Sequence, residues 1–383
     1  MRPAFELAQV IERFGSQFAD RYQPNGYILK TLGAIRSCRT ASLGGHVDRC
    51  DTCGHIRISY NSCRNRHCPK CQNTQREAWI EERKQGLLPV PYFHVVFTVP
   101  EKLNPLFLAD SGGMYNLLFR SMWETMNQFF CSRLQAEGGM IAVLHTWGQN
   151  LSLHPHIHCI VPGGGIDWKG HWKSVTVSEH GKVFLFPVIA LSGVFKAKLM
   201  TRIRQSFPSQ TDRIKAAWAQ DWVVYTKEPF AGPASVVEYL GRYTHKIAVS
   251  NHRLLAINDN GVTFRWRDYR DNQQKIMTLD SIEFLRRFCQ HILPSGFVRI
   301  RYFGILSATR KKDFRQLQIR LGIPSSPVNK RKDRKPWKEI CRDLLNFDPD
   351  QCPQCKTGTM VLIERMSPQR GPPLQFLLKA KSQ

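Results

Sequence analysis

Histidines alternate with apolar residues in one short stretch of the chain, His154-Pro155-His156-Ile157-His158-Cys159. This is the pattern of a β-strand, in which residues two apart project from the same face. His156 and His158 therefore present their imidazoles side by side, whereas Ile157 and Cys159 face the interior. Because imidazoles inside an apolar strand are costly unless they are used, we interpret the pair as ligands of a divalent metal ion.

Two tyrosines, Tyr239 and Tyr243, are four residues apart in the segment EYLGRYTHK. On a helix they share one face. An isolated pair with this spacing usually packs in a core, but next to a metal site the phenols become candidate nucleophiles. Arg242, His245 and Lys246 flank them and would bring positive charge to a reacting phosphate.

Six of the 12 cysteines lie between residues 38 and 71. The pairs Cys50-x2-Cys53 and Cys68-x2-Cys71 are 14 residues apart, a spacing close to that of paired zinc knuckles. We predict that these four thiolates bind one structural Zn²⁺. Further candidate ligands would suffice for a second ion, and they are Cys63, His67, Cys38, His46 and His55. The pair Cys352-x2-Cys355 is either a metal half-site or two inert thiols.

The chain has 55 Lys and Arg against 30 Asp and Glu, a net charge of +25. Such an excess of positive charge predicts a polyanionic partner. The cysteine-rich segment carries positive charge as well, on Arg64, Arg66 and Lys70, which indicates that it also contacts DNA. Phe264, Trp266 and Tyr269 alternate with arginines, which is typical of single-stranded nucleic-acid binding or of a strand edge facing a core. The residues that we expect to contact DNA are Arg265, Trp266, Arg267, Arg242 and Lys246.

No apolar run approaches the roughly 20 residues that span a bilayer, and the N-terminal segment lacks the apolar stretch of a signal peptide. We therefore expect a cytoplasmic protein, associated with the bacterial nucleoid when DNA is bound. Neither a membrane nor a small-molecule substrate is expected as a partner.

Four segments, in this order, carry a family resemblance: CRTASLGGHVDRC, YNSCRNRHCPKC, HPHIHCIVPGGG and YLGRYTHK. Over about residues 5 to 305 the chain resembles the two-tyrosine rolling-circle insertion-sequence transposases, helitron-like members of the HUH nuclease superfamily. The resemblance implies an N-terminal zinc-binding domain, with Mg²⁺ or Mn²⁺ held by His156 and His158. It also implies a third metal ligand, for which Gln149 and Glu238 are the candidates.

In such an enzyme, Tyr239 and Tyr243 would nick single-stranded or melted DNA at the ends of the element. Each nick would leave a 5′-phosphotyrosine and a free 3′-OH, so that strand transfer needs no ATP. Two alternatives remain. A plasmid rolling-circle replication initiator shares the chemistry, and a non-enzymatic zinc-ribbon regulator explains the charge and cysteines but not the histidines and tyrosines.

The elements that position these residues predict an α/β (α+β) chain. The resemblance further implies a central antiparallel sheet flanked by helices. We expect a zinc module with an N-terminal helix over residues 1–88, the HUH-type catalytic domain over 89–305 and a basic C-terminal region over 306–383. The pattern of apolar residues predicts helices over 5–22, 76–84, 114–137, 234–244 and 280–291. It predicts strands over 92–99, 156–161, 222–225 and 298–303, and a hairpin over 247–268 that turns at 258–261.

Overall fold

The computed structural model describes residues 3–84, 86–175, 185–227, 235, 241, 247–268, 270–323 and 336–369. Its first elements are α1 (Leu7–Tyr22), α2 (Gly26–Arg36), β1 (Gly45–Cys50), β2 (Ile56–Tyr60) and α3 (Gln72–Lys84). Then follow β3 (Tyr92–Thr98), α4 (Asn104–Ala109), α5 (Ser111–Phe129), β4 (Gly139–Trp147), β5 (Leu153–Pro162), β6 (Gly164–Ile166), β7 (Trp172–Ser174), α6 (Val188–Ser206), α7 (Thr211–Trp218) and β8 (Val224–Lys227). The last elements are β9 (Leu254–Asn258), β10 (Gly261–Arg267), β11 (Gln274–Leu279), α8 (Ser281–Cys289), β12 (Ile300–Gly304), α9 (Lys311–Arg320), α10 (Trp337–Leu345) and β13 (Met360–Met366).

A five-stranded sheet of order β12-β4-β5-β3-β8 forms the centre of the molecule, and every pairing in it is antiparallel. The predicted α/β class and antiparallel sheet are thereby confirmed. One face carries Phe97, Leu144 and Ile157, which are buried with Met122 of α5 and Phe195 of α6. The histidines therefore project from the opposite face.

That opposite face is partly covered by α3 and α9. Ile141 of β4 and Ile160 of β5 pack there with Ile80 of α3 and Leu317 of α9. Ile160 lies two residues after His158, so both side chains project from this face. Apolar packing thus covers one end of the face and leaves the end with the histidines to polar groups.

The N-terminal helix α1 joins a second core formed by the β9-β10-β11 sheet and α8. Leu7, Val10, Ile11 and Phe18 of α1 follow helical spacing and are buried with Phe264 of β10 and with α8. The Leu7 N–H also donates to Asn251 Oδ1 at 3.1 Å. The predicted helix over 5–22 is therefore confirmed, and it packs against residues more than 200 positions away.

Most of the other predicted elements are present with shifted ends. The hairpin turns between Asn258 and Gly261, and Gly261 has a φ of 128° that favours glycine. The predicted helix over 114–137 ends earlier, because a π-helical turn over Phe130–Leu134 follows α5. Of the predicted helix over 234–244, only Ser235 and Gly241 lie within the described residues, and both are helical.

A three-stranded sheet of order β13-β1-β2 is a feature that the sequence did not predict. We assigned β13 to a basic C-terminal region, yet it pairs with β1 from Gly45↔Met366 to Cys50↔Met360. Within the described part of the chain, no helix has the length and apolar character needed to cross a membrane.

Candidate metal centres and nucleic-acid interface

Three imidazoles converge on one face of the central sheet. His156 and His158 project from one face of β5, and His145 of β4 lies opposite His156 in the register of the two strands. One ring nitrogen from each of the three residues lies within 4.8 Å of the others. His145 and His158 are buried, whereas His156 is half-buried at the rim. Three nitrogens so placed can bind one metal ion.

Hydrogen bonds to Nδ1 orient two of these histidines. His156 Nδ1 lies 2.7 Å from the backbone oxygen of His154, which can only accept, so Nδ1 carries the proton. His158 Nδ1 lies 2.8 Å from Nε2 of His94 on the neighbouring strand β3. Partners of this kind fix the tautomer and ring orientation of metal-binding histidines.

His94 is itself held neutral. Burial, together with the positive charge of Lys227 on β8, lowers the pKa of His94 to about 4. A neutral His94 can accept a hydrogen bond from His158 Nδ1–H, and in that tautomer Nε2 of His158 carries the lone pair that a metal ion needs. His94 is therefore suited to orient His158 rather than to bind the ion.

His145 is a candidate ligand that the sequence analysis missed. The candidates for the third ligand were Gln149, whose side chain lines a groove described below, and Glu238, which lies outside the described residues. The register of the β4-β5 hairpin provides the signal that would have found His145, because the turn between the strands places residue 145 across from residue 156.

The proposed nucleophiles Tyr239 and Tyr243 lie outside the described residues, as do Arg242, His245 and Lys246. Gly241, between the two tyrosines, is described and buried. A Cβ added at Gly241 would collide with the Ile80 side chain of α3. Gly241 thus touches the apolar cluster that covers the histidine-bearing face of the sheet.

The four cysteines predicted to bind one ion do not lie together. Cys68 and Cys71 instead meet Cys38 and Cys63, in what we call the proximal cluster. Its Sγ atoms are 3.4 Å apart between Cys38 and Cys71 and 3.7 Å apart between Cys63 and Cys71. The prediction was wrong because Cys68 and Cys71 precede α3 and pack against α1 and α2, whereas Cys50 ends β1 at a distance from that core.

The proximal cluster fits zinc. Donation from Cys63, and further from Cys68, lowers the pKa of Cys38 to about 7, and the Cys63 N–H also donates to Cys38 Sγ at 3.4 Å. Donation from Cys38 and the other two thiols lowers the pKa of Cys71 as well. Zinc binds thiolates rather than thiols, so two of the four sulphurs are already disposed to lose their protons.

Cys50 and Cys53 lie instead with Cys352 and Cys355, in what we call the distal cluster. Cys352 and Cys355, for which the sequence allows either a metal half-site or inert thiols, thus meet a second pair of cysteines. His67, a candidate for a further ligand, belongs to neither cluster. It is buried, and the burial and the neighbouring Arg66 lower its pKa to about 3.

The cationic residues between the cysteines hold the module in place. Arg66 donates to the backbone oxygens of Phe297 at 2.6 Å and Pro294 at 2.9 Å. Lys70 lies 2.5 Å from Glu6 and donates to the backbone oxygen of Cys38. The expectation that these two residues face DNA is therefore corrected, and Arg64 alone of the three is exposed.

A basic groove of about 450 Å³ lies beside the β4-β5 turn. Arg265 and Arg267 are exposed on β10, and Trp266 between them is half-buried, with Lys275 Nζ 5.8 Å from the centre of its ring. Phe264 is fully buried against Phe284, so it is a core residue and not a stacking platform. The groove is lined by Gln149, Arg253, Arg265, Trp266, Arg267, Asn272 and Gln274.

Comparisons with known proteins agree with these features. Residues 139–313 match the family model described as "Putative transposase", of the Y2 type, and residues 10–99 match the "Transposase zinc-binding domain" of the IS91 type. The chain is 40% identical to the "Putative transposase y4qJ" of Sinorhizobium fredii over 96% of this chain and 97% of that protein. It is 29% identical to the "Transposase for insertion sequence element IS801" of Pseudomonas savastanoi pv. phaseolicola over 85% and 81% of the two chains. No solved structure matches.

The two family models cover the two regions in which the motifs lie. The zinc-binding model includes both N-terminal pairs of cysteines, and the transposase model includes the three converging histidines and the tyrosine pair. The chain belongs to the family of insertion-sequence transposases that join an IS91-type zinc-binding domain to a Y2 transposase domain.

Proposed function

We propose that this transposase nicks single-stranded DNA with a tyrosine nucleophile beside a divalent metal ion, in rolling-circle transposition. The observation that carries the proposal is the convergence of His145, His156 and His158 on one face of the central sheet. Three imidazole nitrogens this close together form a donor set for one metal ion, and a metal ion beside a phosphodiester serves DNA cleavage.

The donor set fits a transition-metal dication. His156 and His158 each have Nδ1 engaged in a hydrogen bond, so a metal ion would be bound through Nε2. Mg²⁺ prefers oxygen ligands, whereas Mn²⁺ is a first-row transition metal that binds nitrogen more readily, so Mn²⁺ fits this donor set better than Mg²⁺. When bound, the ion would polarise the scissile phosphate and stabilise the developing negative charge.

Tyr239 and Tyr243 are the proposed nucleophiles. Gly241 lies between them in the chain and contacts Ile80, which packs with Ile160 on the face that also carries His158. The contacts of Gly241 with this face support the assignment of the tyrosines on either side of it in the sequence. Arg242, His245 and Lys246 are the proposed cationic partners of the phosphate.

The reaction forms one bond and breaks another. The tyrosine oxygen loses its proton and forms a bond to phosphorus, while the bond from phosphorus to the 3′ oxygen breaks and that oxygen takes up a proton. The products are a 5′-phosphotyrosine and a free 3′-OH. Attack by a 3′-OH on the phosphotyrosine reverses the step on another strand, so the bond energy is kept and no ATP is needed.

The groove beside the β4-β5 turn supplies a path for a single strand. Arg265 and Arg267 are exposed there, and Arg253 binds the backbone oxygens of Arg265 and Gln149, which ties β10 to the turn. Exposed guanidinium groups beside a tryptophan are typical of proteins that follow a single-stranded backbone. The histidines lie on the strands that this turn connects, so a strand in the groove would lead towards them.

The test uses oligonucleotides with the terminal sequences of the element, incubated with the full-length protein and Mn²⁺. A 3′-end label should move with the protein on a denaturing gel, because the 5′ phosphate of the downstream fragment is attached. A 5′-end label should give a short free fragment that a polymerase extends. Label transfer from the 5′-labelled strand alone, or cleavage without an adduct, contradicts the proposal.

A further inference from the structure

The distal cluster joins residues from the two ends of the chain. The Sγ atoms of Cys50 and Cys355 are 3.7 Å apart, as are those of Cys53 and Cys352. All four lie within 4.8 Å of one another. A tetrahedral zinc ion with Zn–S bonds of about 2.3 Å places its sulphurs about 3.8 Å apart. We propose that the four thiolates bind a second structural zinc ion, which fastens the C-terminal segment 337–366 to the N-terminal zinc module.

The backbone around both cysteine pairs has the same form. The Cys50 N–H donates to the oxygen of His55 and the Gly54 N–H to that of Cys50, at 2.9 and 3.2 Å. At the other pair, the Cys352 N–H donates to Gly358 and the Lys356 N–H to Cys352, at 2.9 and 3.1 Å. Two separate segments thus adopt one closed turn, as the two halves of a zinc site do.

The residue after the second cysteine is left-handed in both turns. Gly54 has a φ of 74° and Lys356 a φ of 63°. Glycine adopts this conformation freely, but a lysine does so at a cost. The surrounding structure must offset that cost at Lys356. A metal ion that fixes Cys352 and Cys355 on either side of the turn is a sufficient cause.

Backbone N–H groups are also directed at the sulphurs. The Cys53 N–H lies 3.4 Å from Cys50 Sγ, and the Gly358 N–H lies 3.3 Å from Cys355 Sγ. Donors of this kind stabilise a thiolate over a thiol. A Cβ at Gly358 would also collide with Cys50 Sγ, so the second turn packs directly against the first.

Other contacts align the two segments but bury little apolar surface. The backbones of Asp51 and Thr359 are hydrogen-bonded at 3.1 Å, and Arg57 donates to the backbone oxygen of Pro349 at 2.9 Å. Only Met360 joins the cysteines in the buried cluster of the described residues at this site, and the other β13 side chains are mostly exposed. Where a core is so small, a metal commonly replaces it.

The proposal is independent of the cleavage chemistry, since the distal cluster shares no residue with the histidines. It divides one zinc site between two regions: Cys50 and Cys53 lie within the matched zinc-binding domain, whereas Cys352 and Cys355 lie beyond residue 313, where the matched transposase domain ends. The zinc-binding unit of this chain therefore includes its C-terminal segment.

The first test compares the zinc content of the full-length protein with that of the Cys352→Ser/Cys355→Ser variant, purified and measured in parallel. The variant should contain one zinc ion fewer per chain, and a metal ion at the histidines cancels in the difference. Cys341→Ala is the matched control, because Cys341 is buried in the same segment but belongs to neither cluster. Equal zinc content in the double variant and the parent protein overturns the proposal.

A second measurement tests whether the zinc ion holds the C-terminal segment to the N-terminal zinc module, as distinct from a general folding defect. A specific protease site is inserted between residues 324 and 335, and the chain is cleaved there after purification. With zinc present, the C-terminal fragment should stay with the rest of the protein during gel filtration. The double substitution, which leaves the proximal cluster intact, should release it. A fragment that separates from the zinc-loaded protein contradicts the proposal.

Discussion

His145 lies directly opposite His156 in the pairing of β4 with β5, and their ring centres are 5.3 Å apart. The two side chains share a face because paired residues of neighbouring strands project to the same side. His158, whose ring centre is 4.6 Å from that of His145, completes the group. The proposed metal site is therefore built by the two strands of one hairpin.

Replacing His145 by alanine should lower the rate of Mn²⁺-dependent cleavage by at least about 100-fold, because outer partners of metal sites alone are worth 10- to 100-fold. DNA binding should change little. The measurement is single-turnover cleavage of a labelled oligonucleotide. His154→Ala is the matched control, since His154 is exposed on the same face of β5, lies outside the group of three, and keeps its backbone hydrogen bond to His156 when the side chain is removed. Full activity of His145→Ala would remove this residue from the site.

The two tyrosines should not be redundant. Tyr239→Phe with Tyr243→Phe should abolish the covalent adduct, whereas each single variant should keep some cleavage of an oligonucleotide and lose transposition in cells. Phenylalanine keeps the ring, so the defect is expected in chemistry and not in stability. Tyr225→Phe is the control, because Tyr225 is exposed on β8 and pairs with Val96 on the histidine-bearing face. Peptide mapping identifies the modified residue, and an adduct on Tyr225 would refute the assignment.

The proximal cluster should be essential for the fold of the N-terminal module. Cys68 is completely buried, so Cys68→Ser removes both a zinc ligand and a core sulphur. We expect loss of one zinc ion and increased hydrogen exchange over residues 38–71, since zinc binding contributes directly to folding. Cys131→Ser, at an exposed cysteine outside both clusters, is the control. Retained protection in the zinc-free variant would show that the metal is dispensable.

DNA binding should depend strongly on salt. With a net charge of +25, affinity for a single strand should fall by orders of magnitude between roughly 50 and 200 mM salt. Arg265→Gln and Arg267→Gln should each reduce the slope of the salt dependence by about 0.7. Arg133→Gln, an exposed arginine in the π-helical turn after α5, should leave the slope unchanged. Unaltered slopes for the first two variants would place the DNA elsewhere.

The stability of the protein should decrease in mild acid through His291. This residue is buried, with Nδ1 3.2 Å from Thr146 Oγ1 and Nε2 3.2 Å from the Leu151 oxygen, and burial lowers its pKa to about 4. Below the unfolded pKa of about 6.5, the unfolded chain binds a proton that the native state excludes. Neutral His291 therefore makes its full contribution to the free energy of unfolding above about pH 6.5. This contribution falls by up to about 3 kcal/mol as the pH is lowered towards 4.

His291→Gln removes this titration while keeping polar groups at the site. Urea unfolding at pH 7, 6 and 5 should therefore show a smaller loss of stability with acid in the variant than in the parent protein. Because zinc release affects both proteins, the difference between their slopes is the quantity that reports on His291. Parallel curves would show that the pKa of His291 is not lowered in the native state.

Local patterns of the sequence determined the elements of this protein. The alternation of His156 and His158 with Ile157 and Cys159 is a property of one strand, and the structure places the two histidines on one face, as that period requires. Helix α1 and the hairpin that turns before Gly261 also follow from short-range spacing and turn chemistry. Each of these features depends on interactions within about 20 residues.

Tertiary structure alone decided which cysteines meet. The spacing of the two N-terminal cysteine pairs predicted one zinc site. In the structure, each pair instead lies beside other cysteines, which the tertiary fold brings next to it. Cys50 meets Cys355 because β13 returns to pair with β1 across some 300 residues. The spacing of the two cysteines within a pair reflects local backbone geometry. Which two pairs come together depends on long-range packing, which cannot be predicted from a local sequence pattern. The position of His145 lies between these two cases in how far the sequence could predict it, because its place opposite His156 follows from the register of a single hairpin.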